Sequence, residues 1–169
     1  NNPAGTGMNA LDPQRSVSYE LGMRAQRSRF SFELSAYHTR LRDALVPFQL
    51  AGGDGREFFR NAGRTRQQGI EAAVQLHLTR GVRLAASHTW NDFIFLDDGL
   101  PDADFEGNEL PGVPRHHFAA RAGWTPGPAF IELEAEHTSS FYAADSNVAT
   151  SLNPASTTID VRGGVAISG

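Results

Sequence analysis

Apolar and polar residues alternate one for one through seven stretches of this chain. From Ile70 onward, Ile70, Ala72, Val74, Leu76 and Leu78 share one parity, while Glu71, Ala73, Gln75, His77 and Thr79 share the other. Side chains of an extended strand point alternately to opposite faces, so a period of two predicts a ribbon with one oily and one wet side. The same pattern sets Val17, Tyr19, Leu21, Met23 and Ala25 against Ser18, Glu20, Gly22, Arg24 and Gln26. Further stretches begin near Phe30, Val82, His117, Ile131 and Ile159. In the stretch that begins near Phe30, the alternation changes phase beyond Tyr37, which predicts either a β-bulge or emergence of the strand from its apolar surroundings.

Connections between the stretches switch between short and long. Arg27-Ser28-Arg29, Arg80-Gly81 and Pro126-Gly127-Pro128 are tight; the connections through Gly52-Gly53-Asp54-Gly55, through Asp97 to Leu110, and through Asp145 to Ala155 are long. Consecutive hairpins are the natural product of such a pattern. A parallel sheet would need helical crossovers, and no stretch has sustained helical periodicity. The expected fold is therefore all-β, an antiparallel meander of about seven long strands.

Two architectures share that alternation: a soluble β-sandwich, whose oily face is its interior, and a membrane barrel, whose oily face meets lipid. Strand length favours the barrel, because a sandwich strand is usually about five or six residues long. The wet parity carries both signs of charge, in Glu20, Arg24, Glu33, Glu71, Arg83, Arg121, Asp160 and Arg162, as a water-filled bore would. Aromatic residues near strand ends (Phe30, Trp90, Trp124) suit interfacial girdles. A bacterial barrel of this kind closes with an even strand number, about eight at minimum, so seven strands predict an open segment of a larger transmembrane barrel. Asn1 to Gln14 reads as a loop without signal-peptide layout.

Composition narrows the function classes. A formal charge of −4 without any basic stripe gives no reason to expect nucleic acid. Absence of cysteine removes thiolate metal sites and disulfides. No catalytic elbow, phosphate loop or zinc-protease motif occurs, so no catalytic residue and no cofactor is expected. Glu132, Glu134 and Glu136 share a face, but no apolar pocket raises one carboxyl above the others; pairing with Arg121 and Arg162 on neighbouring strands is the expected role. Of the six histidines, His116 and His117 point to opposite faces and cannot chelate one ion together, so no metal site is assigned. Asp102-Ala103-Asp104-Phe105-Glu106-Gly107 starts like a calcium loop, yet Val113 stands where the bidentate Glu belongs.

Several motifs, taken in order, resemble the TonB-dependent outer-membrane receptors of the ferric-siderophore type. They are Asp12-Pro13-Gln14-Arg15-Ser16-Val17-Ser18-Tyr19-Glu20-Leu21-Gly22, the strand ending Arg40-Leu41-Arg42-Asp43-Ala44-Leu45-Val46-Pro47, the Asn61-Ala62-Gly63 stretch before Gly69-Ile70-Glu71, and Leu110-Pro111-Gly112-Val113-Pro114-Arg115-His116. The resemblance implies a barrel of about twenty-two strands plugged by an N-terminal domain. Residues 1–169 would be the later part of its wall, with the plug and the final strands absent. It also implies location in the bacterial outer membrane, contact with its lipid, import of a ferric siderophore or similar chelate, and coupling to the TonB complex through the missing N-terminal parts. A passive or structural outer-membrane barrel and a soluble β-sandwich binding module are the alternatives.

Anionic, partly aromatic chelates are suited by cationic and aromatic contacts. Phe58, Phe59, Arg60, Arg64, Trp90, Phe93, Phe95, Phe141 and Tyr142, all near the long-connection end, are the candidate ligand contacts on that basis. The plainer expectation for each is loop packing or membership of the outer girdle.

Overall fold

The computed structural model describes residues 11–49, 57–78, 81–97 and 105–167, with side chains throughout except for 44–49 and 57–62. The connections around Gly52-Gly53-Asp54-Gly55 and Asp102-Ala103-Asp104, and most of the N-terminal loop, lie outside the described residues.

Nine strands follow in chain order: β1 Arg15–Arg27, β2 Phe30–Gln49, β3 Glu57–His77, β4 Val82–Asp97, β5 His116–Trp124, β6 Ala129–Thr138, β7 Phe141–Tyr142, β8 Leu152–Asn153 and β9 Ser156–Val165. Seven of them form one antiparallel sheet in the order β1-β2-β3-β4-β5-β6-β9, the meander expected from the alternation. The remaining two make a small ribbon, β7 with β8, inside the connection between β6 and β9. No period of two could announce that ribbon, because each of its strands is only two residues long.

Register settles which residues share a face. One hydrogen-bonded row runs Ala25, Phe32, Val74, Ala86, Ala120, Ala135, Ile159, apolar across all seven strands. The next row runs Phe30, Leu76, Leu84, Ala122, Leu133, Val161. No described residue covers this face: Leu21 is 81% exposed and Val161 67%. Phe95, at 9%, is the one buried hydrophobic residue among those described. A water-soluble sandwich would bury such rows in a dry centre, so the sandwich alternative is excluded. An apolar face of this extent is stable where hydrocarbon replaces water around it.

The phase change after Tyr37 has a simple origin. Pairing of β2 with β1 and β3 continues in unbroken register from Phe30 to Arg42, so no bulge intervenes. About ten residues of a tilted strand cross the hydrocarbon. Counted from the short turn at Ser28–Arg29, the outward face of β2 leaves the bilayer near Thr39, and Arg40 and Arg42 follow on that face. Just beyond, Asp43 holds a left-handed φ of 57° without shifting the pairing of β2 with β3, and a register shift lies in β4: Thr65 faces Phe95 and Arg64 faces Asp97, leaving Leu96 as an extra residue. This bulge sits at the loop end of the sheet, where the strand bends under the returning connection.

Candidate functional site

The wet face opposite the apolar one is organised as ion-paired cross-strand ladders. Arg24 meets Glu33 at 2.7 Å. Arg121 donates to Glu134 at 2.8 Å and approaches Glu132 at 3.5 Å, while Arg162 also donates to Glu132. Glu136 faces His117 at 3.6 Å. Unlike charges therefore stand opposite one another, in the register pairs Arg24–Glu33, Arg121–Glu134 and Glu132–Arg162. Three glutamates on one parity of β6 are accounted for as partners of bases on adjacent strands. Above the Arg24–Glu33 pair, a hollow of ≈540 Å³ is bordered by Glu20, Glu71, Ser35 and Thr89. The face can hold water and bind polar groups.

Towards the long connections the wet face becomes aromatic. Gly69 is buried beneath the Tyr37 ring, whose hydroxyl donates to Asn91 Oδ1 at 2.8 Å. Tyr37 also meets Phe93 edge to face, with centroids 6.3 Å apart. Phe95 follows, opposite Thr65, and packs against Phe105 at 6.3 Å.

The connection after β4 folds back onto that strand. Phe95 N–H donates to Asn108 O, Gly107 N–H to Phe95 O and Leu110 N–H to Phe93 O, each at 2.9 Å. Asn147, from the connection after β6, locks onto it: its Oδ1 accepts from Glu109 N–H at 2.7 Å, and its Nδ2 donates to Glu109 O at 3.0 Å. Its amide thus pairs with Glu109 as a neighbouring strand would. Asn108 returns the contact, donating to Asp145 O at 2.8 Å. Asn147 holds φ at +48°, a left-handed conformation that asparagine tolerates better than most residues. Replacing Asn147 by glycine keeps that backbone and removes the amide. The expected result is faster limited proteolysis within both connections while the denaturation midpoint of the sheet stays the same.

The structure distributes the nine sequence candidates over different surroundings. Phe93 and Phe95 share the wet face, but Phe95 is buried under the folded connection and serves packing. Trp90 lies on the lipid-facing parity, opposite Ile70 and His116, as a girdle residue would. Arg64 shares that parity and pairs with Asp97 at 3.3 Å. Phe141 and Tyr142 form β7, where Tyr142 O accepts from Gly112 N–H at 2.8 Å. Phe58, Phe59 and Arg60 belong to β3, and their side chains lie outside the described residues.

Three groups were not anticipated from sequence: Tyr37 with Gly69, Asn147 with Glu109, and His88 with His116. The last two rings lie 9° from parallel with Nε2 and Nδ1 3.2 Å apart, although neither histidine has a histidine neighbour on its own face of its own strand. Cross-strand register brings them together, and register is not written in either strand alone.

Comparison with known proteins gives the same architecture. The family model "TonB dependent receptor-like, beta-barrel" matches residues 1–168. The ferric yersiniabactin uptake receptor FyuA from Yersinia pestis superposes with a TM-score of 0.75 at 20% identity, over 90% of this chain and 22% of its own. The unliganded ferric citrate transporter FecA gives 0.76 at 19% identity, over 93% of this chain and 24% of its own. The copper transporter OprC gives 0.71 at 14% identity, over 98% and 25% respectively. The chain spans about a quarter of the length of the structures it matches.

Proposed function

The chain belongs to the TonB-dependent receptor-like β-barrel family of outer-membrane proteins, and on that premise we propose that it is the later wall of an active importer for an iron chelate. In the complete protein an N-terminal plug would fill the bore, and plug-borne segments would contact TonB. The observation that carries this reading is the two-faced sheet: seven strands apolar on one side and ion-paired on the other. A wall of this kind suits a wide, water-containing bore.

Cargo contact is proposed at the loop end, by Phe93 beside Tyr37 and by the candidates Phe58, Phe59 and Arg60. Arg64, Trp90, Phe141 and Tyr142 are secondary candidates. Chemistry on the cargo is no part of the proposal; the complete protein would bind and pass it.

The test is uptake of radiolabelled iron by cells lacking the gene for the complete protein. Loss of uptake from at least one ferric chelate is expected, with recovery on re-expression only when TonB is present. Recovery without TonB would identify a passive pore, and recovery of copper uptake alone would remove iron from the reading. With the cargo known, Phe93→Ala is expected to weaken its binding by about tenfold, the scale of one lost aromatic contact.

A further inference from the structure

The lipid-facing side carries a row of like charges near the long connections. Arg15 on β1 is directly paired with Arg42 on β2, which is directly paired with Arg64 on β3. One row below, Arg40 is directly paired with Arg66. Like charges directly opposite each other destabilise a sheet; on the bore side one such pair, Glu134 with Asp160, stands beside Arg121, which binds Glu134 at 2.8 Å. Arg64 and Arg66 are neutralised by Asp97 and Asp92, at 3.3 and 2.7 Å. Arg15, Arg40 and Arg42 are exposed and have no acidic partner among the described residues. Together with Val17, Tyr19 and His38 they line a hollow of ≈570 Å³.

Depth identifies what faces these arginines. About ten residues of each strand cross the hydrocarbon, measured from the short-turn end. On β1 that count ends near Ser18, and on β2 near Thr39. The three unpaired arginines therefore stand immediately outside the hydrocarbon, at the headgroups of the leaflet on the long-connection side. Tyr19 lies below them at the interface, where an aromatic ring with a polar tip is favoured. A phosphate there can accept paired N–H bonds from guanidinium groups and relieve the repulsion along the row.

We propose that Arg15, Arg40 and Arg42 form a lateral site for the phosphate of a membrane lipid in the external leaflet, a site outside the bore and independent of cargo. The test uses the complete protein in detergent and native mass spectrometry. The probes are a diphosphorylated glycolipid, the same lipid without phosphate, and inorganic phosphate. Each arginine is expected to contribute about fivefold in apparent affinity, so that Arg15→Gln/Arg40→Gln/Arg42→Gln weakens binding of the phosphorylated lipid by about a hundredfold. The dephosphorylated lipid should bind wild type and triple variant alike. Should the triple variant fail to assemble, Arg42→Gln alone is expected to lose about fivefold while the ion-paired Arg64→Gln loses little. Equal binding of the phosphorylated lipid to wild type and variant overturns the proposal. So does its displacement by millimolar inorganic phosphate, which would make this a site for the free ion.

Discussion

Replacing Val74 by arginine is expected to cost the barrel about 2–4 kcal/mol, the scale for a cation on the lipid face near the bilayer midplane. Val74 lies between Phe32 and Ala86 in the row that stays apolar across the whole sheet. It is also close to halfway along the part of β3 that crosses the hydrocarbon, so an arginine there has the longest way to reach water. Its neighbour Ala73 provides the control. Ala73 points to the bore and is paired with Glu33 on one side and Ser87 on the other. Ala73→Arg meets water and a carboxylate, and should change stability by no more than about 0.5 kcal/mol, as for an ordinary solvated surface change. The measurement is the folded fraction of the complete protein against urea, read by heat-modifiable electrophoretic mobility. Equal damage from the two neighbours would mean that hydrocarbon meets neither face alone, and greater damage from Ala73→Arg would reverse the two faces.

Gly69→Ala is expected to be the next most damaging single change, at about 1–3 kcal/mol for overpacking a tight site. A β-carbon at Gly69 would lie 2.5 Å from the Trp90 carbonyl oxygen and 2.5 Å from the Tyr37 hydroxyl. The first contact is with backbone hydrogen-bonded into β4 and cannot swing aside; the second would push the Tyr37 ring off and break its bond to Asn91. Tyr37→Phe in the Gly69→Ala background removes only the hydroxyl contact, so partial recovery is expected. Gly123 is the comparison, also buried on the bore side, with its nearest atom at 3.8 Å on the flexible Glu132 side chain. Alanine there should be tolerated within about 0.5 kcal/mol. Urea midpoints of the variants check the order, and a Gly69→Ala midpoint equal to that of Gly123→Ala would show that the ring has freedom to move.

The sheet was legible in the sequence because its two faces meet different solvents. Leu34, Ala72 and Ala86 must be oily and Glu33, Glu71 and Arg121 must be wet, and a strand records that demand at every second residue. Register was legible only in outline, since the short turns fix where each hairpin starts. The pairing of Glu132, Glu134 and Arg121 followed from it. The loop end was much less legible. Phe95 and Phe93 look alike as aromatic residues near a strand end, yet Phe95 is covered by Phe105 and the returning connection. That cover depends on Asn147 reaching Glu109, 38 residues away in sequence, and no local pattern encodes it. Trp90 could have been separated from Phe93 by parity alone, because an even residue of β4 shares the face of Ala86. Chemical type alone makes Trp90 a ligand candidate; parity makes it a girdle residue.

Strand length differs around the sheet in a way that shapes the cell surface. β2 and β3 run 20 and 21 residues, whereas β5, β6 and β9 run 9 or 10. The shorter three are little longer than the bilayer requires. The β2–β3 hairpin continues for roughly ten residues more, about 30 Å of extended chain measured along its tilt. Beyond Arg42 and Arg64, where β1 and β4 end, its two strands pair only with each other, like a blade. Standing clear of the bilayer, it is a natural epitope for antibodies that label living cells.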